Sequence, residues 1–387
     1  MIESPLLILA ILCGLVYGSE WLAEKTWLRY LSPALLVILL TAILANLGLI
    51  PSASNAPPIY GHIFTYVAPI SIFLLLLEVN LRQLRSVGLP MLGMFLLGAV
   101  GTCAGVILGM SILGGAEAFG AYTGPLAGMF AGTYIGGSVN FNAVALEFQM
   151  QETGPIYAGA VAIDNIITAI WMMLCLGLPK WLEKKWSSAK ALPTPQPASS
   201  SAGLNGLHQM SILELGMLGV LALGGLWLAD VLAAWSKAAG FAIPQMLWLT
   251  TIAIGLAQFP FVQRLKSSQT LGLFLVYIFL AVIGAYCELS TLGEIGDLAG
   301  SLLLFTSSIM LVHGLIIFGL GQFWKRDWSL IAIASQSNIG GGSTGLALTN
   351  VMGRPELALP AVLVGSLGNG LGTYAGFAIA GYFGAAI

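Results

Sequence analysis

The chain has 387 residues, of which 58% are hydrophobic and only 8% charged, and its mean hydropathy is +0.92. This composition excludes a water-soluble domain and describes a polytopic helical membrane protein embedded in a lipid bilayer. The net charge of -2 says nothing about partners, because where the charges fall matters more than their sum, and nothing in the sequence suggests nucleic acid.

Apolar runs set against breakers predict segments near 5–19, 32–50, 62–80, 89–113, 124–148 and 155–179, joined by short loops. The start, Met1 to Pro5, carries no positive region, so the first run is expected to stay as a membrane helix and not to be removed as a signal peptide. A polar, Pro- and Ser-rich stretch at 183–210 reads as a flexible linker. Beyond it the plan repeats, with segments near 211–235, 242–260, 269–287, 297–323, 328–350 and 356–386. The predicted division is a first membrane repeat at 1–182, the linker, and a second repeat at 211–387. The four cysteines (Cys13, Cys103, Cys175, Cys287) are scattered and read as packing residues, not as metal ligands or a disulfide frame.

The fifth segment of each half carries the chemistry. Tyr134-Ile-Gly-Gly-Ser-Val-Asn140 and Asn338-Ile-Gly-Gly-Gly-Ser-Thr344 align at an offset of 204, and the same offset brings Asn165 onto Asn369 without a gap. Adjacent glycines weaken a helix and release backbone groups that hydrocarbon cannot satisfy, so such breaks belong inside protein or beside water. The competing reading of one Gly-Gly pair is a small-residue packing face against a neighbouring helix. Two matched broken segments, each followed by a matched Asn, point to a transporter built from internal repeats, with its site where the breaks meet. The candidate residues are Gly136, Gly137, Ser138, Asn140, Asn142, Asp164 and Asn165 from the first half. From the second they are Ser337, Asn338, Gly340, Gly341, Ser343, Thr344, Ser366 and Asn369.

Asp164 lies about nine residues into an apolar run, where a charge costs about 3 kcal/mol on insertion scales. No Lys or Arg sits at that depth, so its partner is a proton, a bound cation, or the freed carbonyls and hydroxyls of the breaks; the alternative is a protonated structural Asp. Gly368 replaces it in the second half, which makes any ion chemistry asymmetric. Asp164 and Asn165 are the expected ligands of Na⁺, with H⁺ as the other candidate coupling ion, and no further cofactor is expected. His313 reads as a hydrogen-bonded packing residue, with a proton relay or pH sensor as the alternative. Glu78 and Glu288 read as solvated helix ends. Trp21, Trp27, Trp181 and Trp186 read as interfacial anchors.

Charge decides the predicted topology. If all twelve segments cross, the 14 Lys and Arg divide 8 to 6 between the two sides. If the two broken segments enter and leave on one side, 13 of them fall on one face and only Lys237 on the other. That bias makes the first face cytoplasmic and places both termini outside and the linker inside. Each half then has five spans, an odd number, plus one re-entrant hairpin, so the halves are inverted and the hairpin tips meet near the midplane.

Tyr134-Ile-Gly-Gly-Ser-Val-Asn-Phe141, Asp164-Asn165 and Ser335-Gln-Ser-Asn-Ile-Gly-Gly341 resemble the signatures of the YjcL-like family of uncharacterised integral membrane proteins, over nearly the whole chain. That family is similar in plan to the cation:proton antiporter and anion transporter superfamily, which includes bile acid:sodium symporters. The resemblance implies an all-α membrane fold with scaffold (1–88 and 211–295) and mobile core (89–182 and 296–387), an elevator-like step, Na⁺ or H⁺ coupling, and a homodimer joined through the scaffold. Antiporters of this plan commonly carry two adjacent acids; Asp164-Asn165 departs from that and leans toward symport.

The expected function is therefore secondary active transport in the plasma membrane, with Na⁺- or H⁺-coupled symport of a small polar or anionic organic solute. The alternative is a cation:proton antiporter without organic substrate. An intramembrane enzyme using Ser138 or Ser343 would need a base, and His62, His208 and His313 all lie elsewhere in the sequence.

Overall fold

The computed structural model describes residues 4–26, 33–186, 211–241, 243–287, 296–323 and 327–385. Trp27, Arg29, Lys190, His208, Glu288, Lys325, Arg326 and the linker beyond 186 lie outside the described residues. Among the described residues every regular element is helical. The first half runs α1 (Pro5–Lys25), α2 (Pro33–Asn46), α3 (Pro58–His62), α4 (Ala68–Leu76), α5 (Leu89–Leu113), α6 (Gly115–Phe119), α7 (Thr123–Gly136), α8 (Ser138–Glu147) and α9 (Pro155–Lys185). The second runs α10 (Ile212–Ala238), α11 (Gln245–Ala257), α12 (Ser268–Tyr286), α13 (Gly296–Gly321), α14 (Trp328–Ile339), α15 (Gly341–Met352) and α16 (Ala358–Tyr382).

Proline sets many of the starts: Pro5, Pro33, Pro58 and Pro155 each open a helix, where the missing N–H would have had no partner. Pro69 sits just inside α4 and has no N–H for the Thr65 carbonyl, and the preceding turn, Ile63–Val67, widens into a π-helix that joins α3 to α4.

Among the described residues eight helical stretches are long and apolar enough to cross a membrane. The sequence predicts ten. The other two are α2 and α11, of 14 and 13 residues, which rise only about 20 Å each against a hydrocarbon core of about 30 Å. They occupy the same place in their two halves. The helix of α9 also continues to Lys185, past the predicted start of the linker at 183.

Packing between the halves is reciprocal. Helix α7 packs on α16 while their counterparts α14 and α9 pack on each other; α2 packs on α12 while α11 packs on α4; α1 packs on α12 while α10 packs on α4. The pairs α5 with α13 and α4 with α12 join like to like. The two halves thus share one buried core, which excludes two independent bundles tied by a linker.

Each broken segment folds back on itself. A Cβ on Gly132 would lie 3.1 Å from the Cβ of Asn140, and one on Gly128 3.1 Å from Val144, pairs equally far from the break. In the second half Thr344 Oγ1 donates to the Gln336 carbonyl at 3.3 Å. At the far end of that hairpin, Arg354 donates from both guanidinium nitrogens to the two Asp327 oxygens, at 3.0 Å each. Asp327 also caps α14 by accepting from the Leu330 N–H at 3.1 Å, and its hydrogen bonds hold the Arg354 guanidinium protonated well above the ordinary range. The arms α7–α8 and α14–α15 are therefore antiparallel, and each hairpin points its break inward.

Candidate functional site

The two breaks meet. Gly137 has φ +97° and Gly341 φ +78°, backbone that L side chains rarely adopt, and the two residues stand at the 204 offset. A Cβ on Gly137 would lie 3.5 Å from the Gly341 Cα, so the tips are in van der Waals contact. At this point α7 and α14 end and α8 and α15 begin. Carbonyl-rich C-termini and N–H-rich N-termini are thus gathered at one place.

Gly136 serves a different purpose. A Cβ there would lie 2.0 Å from the Gly368 carbonyl of α16, so this glycine permits backbone contact, as the packing-face reading of the pair requires. One Gly-Gly pair accordingly combines both readings of the sequence: Gly136 packs and Gly137 turns.

Beside the tips lies a cavity of about 310 Å³. Its polar wall comes from Thr133, Ser138, Asn142, Asp164, Asn165, Thr168, Gly340, Ser343 and Thr344, and its apolar wall from α2, α4 and α12 through Ala34, Leu75, Leu273, Val276, Tyr277 and Leu280. Ser138 and Ser343 stand exposed just inside the N-termini of α8 and α15. Thr133 Oγ1 donates to Asp164 Oδ1 at 3.5 Å, and the Tyr134 hydroxyl faces the same carboxylate without reaching hydrogen-bond geometry. Asn165 Nδ2 donates to the Val161 carbonyl at 2.8 Å, and Asn142 accepts from the Tyr157 hydroxyl. Among the described residues no Lys, Arg or His lines this cavity. The chemistry assembled is one carboxylate, three amide or glycine-tip positions and five hydroxyls, a donor set suited to a hard cation and a small polar solute together.

Of the fifteen predicted residues, seven line the cavity: Ser138, Asn142, Asp164, Asn165, Gly340, Ser343 and Thr344. Gly136, Gly137 and Gly341 form the crossing itself. The remaining five stand elsewhere. Asn140 is fully buried between α8 and α16, donating to the Gly368 carbonyl at 3.2 Å and accepting from Thr373 Oγ1 at 2.8 Å. Ser337 donates to the Ile333 carbonyl at 2.9 Å inside its hairpin. Asn338 turns toward α5 and α7 and donates to the Ile135 carbonyl at 3.3 Å. Asn369 lies where α16 crosses Gly136, its backbone nitrogen 2.6 Å from a Cβ placed there. Ser366 lines a different cavity. Thr168 was missed, although it follows Asp164 by one helical turn and so shares its face.

Behind the cavity sits a closed hydrogen-bond network that reaches five helices. His313 Nδ1 lies 3.0 Å from the Gly98 carbonyl, which can only accept, so Nδ1 carries the proton. Nε2 then accepts from Ser335 Oγ at 2.9 Å, and Ser335 accepts from the Trp171 indole at 3.0 Å. Thr102 donates to the Tyr134 carbonyl at 3.0 Å and lies 3.0 Å from the same Nδ1. A neutral imidazole satisfies every member, so His313 is buried and hydrogen-bonded, as the sequence predicts.

Two further cavities continue the first along α12. One of about 640 Å³ lies at its N-terminal end against Ser268 and Gln269, and includes Glu78, Lys266 and Ser366. The other, of about 350 Å³, lies at its C-terminal end against Tyr286. The central cavity touches the middle of the same helix, so the three are strung along about 27 Å.

A family model described as "Protein of unknown function (DUF819)" matches residues 7–385. The chain is also similar to a protein named "Uncharacterized membrane protein YjcL" from Bacillus subtilis (strain 168), with 29% identity over 376 residues, covering 92% of this chain and 91% of that one.

Proposed function

This chain belongs to the DUF819 family and is a multi-pass integral membrane protein, and from that premise we propose that it is a secondary active transporter. The observation that carries the reading is the meeting of two antiparallel broken-helix hairpins beside an acid-containing cavity that faces three other helices. The proposed substrate is a small polar or anionic organic solute, and its symport is driven by Na⁺ or H⁺ at Asp164. Backbone N–H groups at the starts of α8 and α15 would receive an anionic group, while carbonyls at the ends of α7 and α14 would join Asp164 and Asn165 around a cation.

The 13 to 1 charge bias supports hairpins that are re-entrant from opposite faces, inverted halves, a cytoplasmic linker at 183–210 and extracytoplasmic termini. The packing supports a scaffold of α1–α4 with α10–α12 and a core of α5–α9 with α13–α16; in the proposed mechanism the two move past each other in an elevator-like step in the plasma membrane, in a homodimer joined through the scaffold. The cavity between the two groups is where such a step would carry the solute. A cation:proton antiporter without organic substrate would need Asp164 but not the space around it. The enzyme reading would need a base beside Ser138 or Ser343; among the described residues no His lines their cavity, and its one carboxylate is Asp164, which the transporter reading uses for coupling.

The test is thermal stability of the purified protein in Na⁺ against K⁺ or choline, across the neutral pH range, for wild type and Asp164→Asn. Selective stabilisation by Na⁺ that disappears in the variant is expected for a sodium symporter. A pH dependence that disappears instead assigns the coupling to protons. Indifference to both in a folded wild-type protein removes Asp164 from any coupling role.

A further inference from the structure

Helix α11 of the scaffold is hydrogen-bonded to the core at two points. Glu147, the last residue of α8, accepts from the Met246 N–H at 3.3 Å. Helix α11 begins at Gln245 behind Pro244, which supplies no side-chain cap, so a first-turn N–H of this scaffold helix is satisfied from the core. Further along, the Tyr374 hydroxyl of α16 lies 2.6 Å from Thr251 Oγ1. Thr251 gives its own proton to the Leu247 carbonyl at 2.7 Å, so Tyr374 is the donor.

A third contact is steric. A Cβ on Gly370 of α16 would lie 2.8 Å from Ile254 Cδ1, so the end of that side chain rests on the glycine. The three contacts span about 12 Å of α11. Its other neighbours, α4 and α10, belong to the scaffold, so this short helix is held on one side by its own group and touches the core with the other.

The counterpart helix α2 lacks this chemistry. Matching Pro33 to Pro244 sets Leu40 and Ile43 at the places of Thr251 and Ile254, and the 204 offset sets Val351 and Ile170 at the places of Glu147 and Tyr374. Val351 offers no acceptor, and Leu40 and Ile170 have no hydroxyl between them. Helix α2 still packs on α9, but at these positions it presents apolar side chains that slide without breaking a hydrogen bond.

We propose that α11 is a latch that pins the core to the scaffold in the arrangement seen here, and that its three contacts open together when the core shifts. The inference rests on the scaffold and core division proposed above. It adds where that division is held: at α11, and not at the matching positions of α2.

Amide hydrogen exchange of the purified full-length protein reads the latch at Met246, whose N–H is covered by Glu147. Tyr374→Phe removes one hydroxyl about 8 Å further along the helix and should speed exchange at Met246 about fivefold, as expected when one hydrogen bond is lost from a cooperative opening. Thr251→Val removes the acceptor and should do the same, and the two changes together should do no more than either alone. Both keep the shape of an exposed side chain. Amides in the middle of α10 and of α13 lie within one group each and should not change. Ile254→Cys with Gly370→Cys, in a protein whose four native cysteines are replaced by alanine, puts a sulfur where Ile254 Cγ1 stands 3.8 Å from a Cβ on Gly370. The oxidised pair should exchange at Met246 at least about tenfold more slowly than the reduced pair.

Exchange at Met246 that ignores both the hydroxyl and the disulfide would show that α11 only frays locally, and would overturn the latch. Faster exchange in α10 and α13 as well would show a general loosening and overturn it too. A protein whose stability ignores Na⁺ and pH, but whose Met246 exchange follows Tyr374, keeps the latch and loses the coupled-transport reading.

Discussion

The crossing of α7 with α16 and the crossing of α9 with α14 are counterparts in the two halves, yet one is a closed seam and the other opens on a cavity. Along the first, Gly128 faces Gly376, Gly132 faces Gly372 and Gly136 faces Gly368; a Cβ on Gly128 would sit 2.6 Å from the Gly376 carbonyl and one on Gly372 2.7 Å from the Gly132 carbonyl. At the 204 offset the second crossing has Ala332 and Gln336 on α14, Gly340 just past its end, and Asp164, Thr168 and Met172 on α9. Only one glycine of six remains. Of these six, Asp164, Thr168 and Gly340 line the cavity, while Gln336 is fully buried away from it. Of the two crossings, the one without the run of glycines is the one that borders the cavity.

The strongest way to break the comparison is to give the closed seam a side chain. Gly136→Leu cannot be accommodated, because its first carbon would overlap the Gly368 carbonyl. The expected cost is about 3 kcal/mol or more, read as loss of the monodisperse peak in size-exclusion chromatography. Recovery of a normal peak would show that α7 and α16 are not in backbone contact.

The second effect concerns the clamp at the base of the α14–α15 hairpin. Arg354→Ala removes two hydrogen bonds to Asp327 and one to Glu356. Partial exposure of all three side chains screens the charges, so the expected loss is about 1–2 kcal/mol. Faster amide exchange in α14 and α15, with α7 and α8 unchanged, is the corresponding signature. Exchange that rises equally in both hairpins would show that the clamp is not local.

The paired breaks and the central acid were legible because each has a pattern in one dimension: adjacent glycines at a fixed offset, and a charge in an apolar run. The seam was legible too, as Gly124, Gly128, Gly132 and Gly136 against Gly368, Gly372 and Gly376, each four residues apart, but the Gly-Gly pair drew attention to the turn and away from this spacing. What a sequence does not carry is the direction in which a side chain leaves the helix once the helix ends are fixed. Asn140, one turn beyond the break, rotates into α16, while Asn142, two residues on, faces the cavity. Ser337 and Asn338 follow the same rule and point into the protein. The contacts of α11 with the core were illegible for another reason: Glu147 meets Met246, and Tyr374 meets Thr251, only through tertiary packing.

The third effect is smaller and tests how the seam is fixed in register. Thr373 Oγ1 donates to Asn140 Oδ1 at 2.8 Å in a fully buried setting, and Asn140 passes the contact on to the Gly368 carbonyl. Thr373→Val keeps the shape and removes the donor, which should cost about 1 kcal/mol, whereas Thr373→Ser should restore most of it. Equal melting temperatures for the Val and Ser variants would mean that the hydroxyl contributes only volume.

The smallest effect has the opposite sign and bears on whether glycine as such, or glycine at a contact, is what these helices require. Gly159 lies in α9, one of the two helices of the open crossing, and a Cβ there would meet nothing within 4 Å. Gly159→Ala therefore removes the backbone freedom of the unfolded chain without creating an overlap, and should stabilise by about 0.5 kcal/mol. Gly128→Ala is the matched control on the closed side, where the added carbon would lie 2.6 Å from a carbonyl, and it should destabilise. A melting temperature that moves in opposite directions for the same chemical change assigns the glycines of the seam to close approach. If both variants lower it, the glycines act through helix flexibility on either side, and the contrast between the two crossings loses its physical basis.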